Sequence, residues 1–111
     1  MGLSDAIALV GSNVTFTCVS PLRNCHLMTW YEDVPSYHRL TIFNGSSGSY
    51  HSDKYTVEGL TIQLMPVGCR LTVKHVELLE AYYSCSIKVS DEVYSEEARL
   101  YAFSKSGFII L

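Results

Sequence analysis

Residues Leu71 to Ile87 read LTVKHVELLEAYYSCSI. The first half alternates apolar and polar residues at Leu71, Val73 and Val76, the pattern of a half-buried strand. An acidic break follows at Glu77 to Glu80, and a second strand runs through Tyr83, Cys85 and Ile87. Working outward, Cys18 sits in a similar alternation with Val14 and Phe16, and Trp30 lies twelve positions beyond it.

A strand cysteine, then a tryptophan, then a Tyr-x-Cys strand resembles the framework of the immunoglobulin sandwich. The run Arg39 to Ser47, RLTIFNGSS, is similar to the C′–C″ segment of antibody light-chain variable domains and narrows the resemblance to the V-set. The fold this implies is all-β: a V-type immunoglobulin-like sandwich of two antiparallel sheets with Greek-key connections. The V-set domain is expected over residues 1–103, with 104–111 as a C-terminal extension or the start of a linker.

At 111 residues the chain matches one core of that kind, and 48% apolar content is enough to fill it. Only 17% of residues are charged, which argues against disorder. A formal net charge of −3 with scattered basic residues argues against nucleic acid or an acidic membrane surface as partner. Four cysteines in a small strand-rich chain suggest two disulfides and an oxidising compartment. The sequons at Asn13 and Asn44 (Asn13-Val14-Thr15, Asn44-Gly45-Ser46) point the same way, to an extracellular glycoprotein, secreted or the ectodomain of a membrane-anchored protein. The start, MGLSDAIALV, does not read as a signal peptide, because its apolar run is short and Asp5 interrupts it. No run approaches the roughly 20 apolar residues of a membrane span.

Taken in order, Ala6 to Val10 is expected as an edge strand and Val14 to Ser20 as strand B, with Val14, Phe16 and Cys18 inward. Leu27 to Glu32 is strand C, with Met28 and Trp30 inward, and Arg39 to Phe43 is C′. Tyr55 to Val57 reads as a short edge piece, and Leu60, Ile62 and Leu64 alternate as strand D. Pro66-Val67-Gly68 reads as the turn into strand E, Cys69 to Val76, which makes His75 a surface strand residue. Strand F is Tyr82 to Val89, Ser90-Asp91-Glu92 a turn, and Ser95 to Phe103 strand G, with Ala98, Leu100 and Ala102 on one face. A second register aligns Phe103-Ser104-Lys105-Ser106-Gly107 with the joining segment of antigen receptors, Phe-Gly-x-Gly, although serine replaces both glycines. In that register residues 90–102 form a long variable-like loop.

The resemblance implies a bridge between Cys18 and Cys85 with Trp30 packed on it, closing a loop of roughly 65 residues at about 4 kcal/mol in the chain-entropy account. It also places Cys25 and Cys69 at one end of the sandwich, close enough for a second bridge; a free Cys25, or one paired with another chain, is the alternative. Neither Cys25-His26 nor Cys69 with His75 has zinc-site spacing, and no metal or other cofactor is expected. The family pattern Asp-x-Ala/Gly-x-Tyr-x-Cys is matched at Ala81, Tyr83 and Cys85, while Leu79 stands in the aspartate position. Lys54 and Glu80 are candidates for the ion pair that the aspartate usually makes. Tyr83 fits the tyrosine-corner role, its hydroxyl bonding backbone upstream.

No Gly-x-Ser-x-Gly, His-Glu-x-x-His or phosphate-cradling glycine loop occurs, so the chain reads as a binding module and not an enzyme, with no small-molecule substrate. In V-set receptors the exposed G-F-C-C′ face makes the contacts. By alternation that face carries Thr29, Tyr31, Asp33, Thr41 and Phe43, then Tyr82, Ser84, Ser86 and Lys88, and finally Arg99, Tyr101 and Phe103. Tyrosine and arginine are favoured anchors because they bury large area at small entropic cost. The plain alternative is that these tyrosines flank the core, since sheets favour aromatics. The expected partner is another cell-surface immunoglobulin-like or immune protein, with homodimerisation as a further option. Three roles fit: an immune or adhesion receptor domain, a viral immunoglobulin-like glycoprotein that mimics or intercepts such a receptor, and an antigen-receptor variable domain.

Overall fold

Period-two alternation in the sequence becomes alternation of buried and exposed side chains in the nine strands found among the described residues. The computed structural model describes residues 3–35, 39–45, 49–50, 53–77 and 80–104, with 49–50 described by their backbone. The strands are β1 (Ala6–Leu9), β2 (Val14–Val19), β3 (Met28–Asp33), β4 (Leu40–Asn44), β5 (Ser49–Tyr50), β6 (Tyr55–Ile62), β7 (Met65–Val73), β8 (Glu80–Val89) and β9 (Glu92–Phe103). A six-stranded sheet in the order β1-β9-β8-β3-β4-β5 faces a three-stranded sheet in the order β2-β7-β6. The protein is an all-β sandwich. Strand pairings are antiparallel except that β1 runs parallel to β9.

The core lies between the sheets. Val14, Phe16 and Cys18 of β2 and Leu71 and Val73 of β7 meet Met28 and Trp30 of β3, Tyr83, Cys85 and Ile87 of β8, and Leu100 of β9. Cys18 and Cys85 are bonded across the layers with Cα atoms 6.4 Å apart, and Trp30, the β3 partner of Cys85, is fully buried. Cys25 and Cys69 form the second disulfide, Cα atoms 5.1 Å apart, which excludes a free or intermolecular Cys25.

Several expected elements shift. Strand D is not Leu60–Leu64: Tyr55–Ile62 is one continuous strand whose buried residue is Tyr55, while Ile62 and Leu64 are 64% and 94% exposed. The chain reverses at Gln63 and Leu64, both with positive φ, and Pro66-Val67-Gly68 lies inside β7 instead of forming a turn. Gly68 is needed for a different reason. A Cβ there would lie 2.0 Å from the Cys18 carbonyl oxygen, so glycine lets β2 and β7 approach, and its φ of +128° suits glycine. Strand β7 ends at Val73, so His75 is not a strand residue; it sits in an exposed bend with φ +50°. Residues 92–103 form a regular strand, which rules out a long loop over 90–102; the remainder of the joining-segment register, 105–111, lies outside the described residues.

The largest correction concerns Tyr83. Its hydroxyl donates not to backbone but to the carboxylate of Glu32, at 2.6 Å, and Tyr55 donates to the same oxygen at 2.8 Å. The inward phase of β3 runs Met28, Trp30, Glu32, and Glu32 is the cross-strand partner of Tyr83, so the carboxylate arrives in reach first. Glu32 is buried, and two charge-assisted donors, one from each sheet, offset its desolvation. Burial, and then the bond to Glu32, pushes both phenols well above the ordinary tyrosine range. Deprotonation is therefore harder in the folded state. That contribution to stability is full below about pH 10, the unfolded phenol value, and declines as the pH climbs above it.

Two outcomes follow from this arrangement. In alkaline titration, Tyr55 and Tyr83 should resist ionisation until the protein unfolds, and the fall in unfolding free energy above about pH 10 should shrink in the Tyr55→Phe/Tyr83→Phe double variant. At neutral pH, Tyr83→Phe should cost roughly 1–3 kcal/mol in urea unfolding, because the buried Glu32 carboxylate loses one of its two donors.

Candidate functional site

The outer face of the six-stranded sheet is built from the out-facing phases of β3, β8 and β9. Thr29, Tyr31 and Asp33 are half-buried on β3, Tyr82 and Ser86 half-buried on β8, and Lys88 exposed at its end. Arg99, Tyr101 and Phe103 are half-buried on β9, with Phe103 beside Leu9 of β1. Thr41 is exposed on β4.

Phe43 does not belong to this face. The β3–β4 register slips between Trp30 and Tyr31, whose partners are Phe43 and Thr41, so Ile42 is bulged out of the ladder. Alternation breaks there, and Ile42 and Phe43 are both buried, at 1% and 7% exposure. Ser84 has the outward phase yet is only 5% exposed, and its Oγ has no hydrogen-bond partner among the described residues.

Two arginine–tyrosine assemblies organise the face. Arg99 lies between two rings, its Cζ 4.9 Å from the Tyr82 centroid and 5.3 Å from that of Tyr101. Its Nε is 3.4 Å from Glu80 Oε1, it donates to the Tyr101 hydroxyl, and the Tyr82 hydroxyl donates to the same Glu80 oxygen at 3.0 Å. Glu80 thus takes Arg99 as the partner expected of Lys54, whose Nζ lies 5.7 Å from the Tyr55 ring. The bond to Tyr101 holds the Arg99 guanidinium above its ordinary value, and the bond to Glu80 does the same for the Tyr82 phenol. In the second assembly Arg39 makes a two-pronged bond to Asp33, both contacts at 3.0 Å, with Cζ 4.8 Å over the Tyr31 ring. That bond raises the Arg39 value as well. Such pairs contribute little to folding at an exposed surface, but they hold long side chains in fixed poses.

The same face is concave in places. A hollow of about 400 Å³ lies among His26, Asn44, Tyr31, Ser86, Lys88 and Val93. It shares Tyr31, Ser86 and Val93 with a second of about 210 Å³ that reaches Arg39, Ser84 and Glu97. A third, of about 250 Å³, sits between Asp5, Tyr82, Glu97 and Arg99. Sequence reading missed Arg39, Glu97 and Asp5. Glu97 could have been found, since it shares the phase of Arg99 and Tyr101; Asp5 could not, because nothing local says that its carboxylate meets the Arg99 N–H.

Of the sequons, Asn13 is exposed and accepts the His75 N–H at 3.1 Å, while Asn44 stands on the rim of the first hollow. No group of three or more His, Cys, Asp or Glu among the described residues could hold a metal ion. No protein-family model and no curated protein matches the chain.

The Ser84 hydroxyl gives a direct test of the site. A buried hydroxyl without a partner costs free energy, so Ser84→Ala should leave the melting temperature unchanged or raise it, by up to about 1 kcal/mol in stability. A clear loss would mean that the hydroxyl is bonded in solution.

Proposed function

We propose that this chain is an extracellular V-type immunoglobulin-like module that recognises another protein through the outer face of its six-stranded sheet. The observation that carries the reading is Arg99 held between Tyr82 and Tyr101. A guanidinium and two aromatic rings are fixed at the surface by contacts that add little to stability, and these residue types dominate binding energy at interfaces.

The V-type assignment is supported by β4 and β5, which extend the sheet beyond β3 as C′ and C″ extend a variable-type domain. The Cys18–Cys85 bridge and the buried Trp30 beside it add to it. Two disulfides and two sequons favour the secretory route and a glycoprotein. A role in immune or adhesion recognition, with a cell-surface immunoglobulin-like partner, comes from the resemblance of the Tyr83-x-Cys85 framework to receptor domains. A glycan on Asn44 would stand over the first hollow and leave the Tyr82–Arg99–Tyr101 half of the face open.

The test is a screen of the glycosylated domain against a panel of cell-surface ectodomains. Against any hit, Tyr82→Ala and Tyr101→Ala should each weaken binding about tenfold or more with the melting temperature held, the loss expected for interface anchors. Unaltered affinity in both variants would place the interface elsewhere. Size-exclusion chromatography over a concentration series should show a dimer if the partner is a second copy.

A further inference from the structure

Strand β9 is twelve residues long, but β1 pairs with only its last four, Leu100 to Phe103. Just before that, the Asp5 carboxylate accepts the Arg99 N–H at 2.9 Å. Upstream of this cap, no strand among the described residues covers the outer edge of β9. The β8–β9 register is unbroken from Glu80↔Tyr101 to Val89↔Glu92, so the strand keeps one phase throughout. Arg99 turns its N–H away from β8 toward Asp5; Glu97, Ser95 and Val93 share its phase and turn theirs outward too. Tyr94, Glu96 and Ala98 point theirs to β8. Val93, Ser95 and Glu97 are all exposed. The result is an open strand edge of roughly 14 Å from Val93 to Glu97, the kind of edge that proteins usually blunt.

The charge on this edge decides what fits it. Asp91, Glu92, Glu96 and Glu97 lie along it, with Lys88 across the hairpin from Val93 and Arg39 bordering the hollow that Glu97 lines. A second copy pairing antiparallel about Ser95 would bring two sets of these carboxylates together, which disfavours self-association. An extended strand bearing lysine or arginine gains both the main-chain bonds and the charge pairing. We infer that the free edge of β9, from Val93 to Glu97, accepts a basic, extended segment of a partner protein by strand addition, its main chain bonding Val93, Ser95 and Glu97. The edge is separate from the Tyr82–Arg99–Tyr101 assembly and does not depend on that assembly being an interface.

The probe is a short synthetic peptide alternating lysine with threonine and valine, alongside its twin with glutamate in place of lysine. On adding the lysine peptide to the whole chain, amide exchange at Val93, Ser95 and Glu97 should slow, while Tyr94 and Glu96, already bonded to β8, change little. Binding should weaken with salt. Ser95→Pro removes an outward N–H without touching the β8 ladder and should cost about tenfold in affinity, the scale of one or two lost main-chain bonds. The inference is overturned if the glutamate peptide binds as well, if the alternate-residue protection is missing, or if the same amides are protected in a concentration-dependent dimer without peptide. If Ser95→Pro fails to fold, the exchange pattern on the unaltered chain decides alone.

Discussion

The bond between Cys18 and Cys85 ties β2 of the three-stranded sheet to β8 of the six-stranded sheet, and the rest of the sandwich is arranged around it. It spans 67 positions of sequence and removes about 4 kcal/mol of chain entropy from the unfolded state in the loop-closure account. With β2 and β8 held at that separation, β3 lies beside β8 with Trp30 against Cys85 in register, and Phe16 stacks on Tyr83 at 5.1 Å between ring centroids. The same geometry brings Glu32, two residues beyond Trp30 on the inward phase, under the hydroxyls of Tyr55 and Tyr83. A buried carboxylate is tolerable only there, where donors from both sheets meet it.

The second disulfide works at one end of the sandwich, where two glycines allow backbones to come together. Cys25 opens a short 3-10 turn, Cys25–Leu27, whose start is capped by Asn24, and Gly45 packs beneath it. A Cβ on Gly45 would lie 2.1 Å from the Cys25 carbonyl oxygen, so this position must be glycine for packing reasons. The sequon Asn44-Gly45-Ser46 therefore owes its middle residue to the fold, and Asn44 is carried to the rim of the first hollow by the same contact. Gly68 plays the matching part between β2 and β7. One end of the sandwich is thus doubly tied, while no strand among the described residues covers the upstream outer edge of β9.

Much of this was legible in the residues. Val14, Phe16 and Cys18, Met28 and Trp30, Tyr83, Cys85 and Ile87, and Ala98, Leu100 and Ala102 all face inward as their alternation requires. The outward phases of β8 and β9 likewise carried Tyr82, Ser86, Lys88, Arg99 and Tyr101 to the face. The failures have specific causes. Phe43 was lost to a bulge, which shifts the phase by one residue without leaving a mark in the sequence. Leu60, Ile62 and Leu64 alternate convincingly, yet their hairpin carries the last two beyond the opposing sheet, leaving them nothing to pack against. Gly68 reads as a turn glycine because its other use, close approach of two strands, depends on a partner 50 positions away, Cys18↔Cys69 being the neighbouring pair.

What the sequence determined by itself is the all-β sandwich, the inward phase of most strands, and a disulfide framework of four cysteines. These follow from period-two burial and thiol chemistry, which are local properties of the chain. Only the tertiary structure decided that Glu32 and not backbone receives Tyr83, that Arg99 lies between two tyrosine rings with Glu80 as its counter-ion, and that β1 pairs with only the last four residues of β9. Each of these depends on which distant segments pair and in what register, and alternation sets the phase of a strand without setting its neighbours.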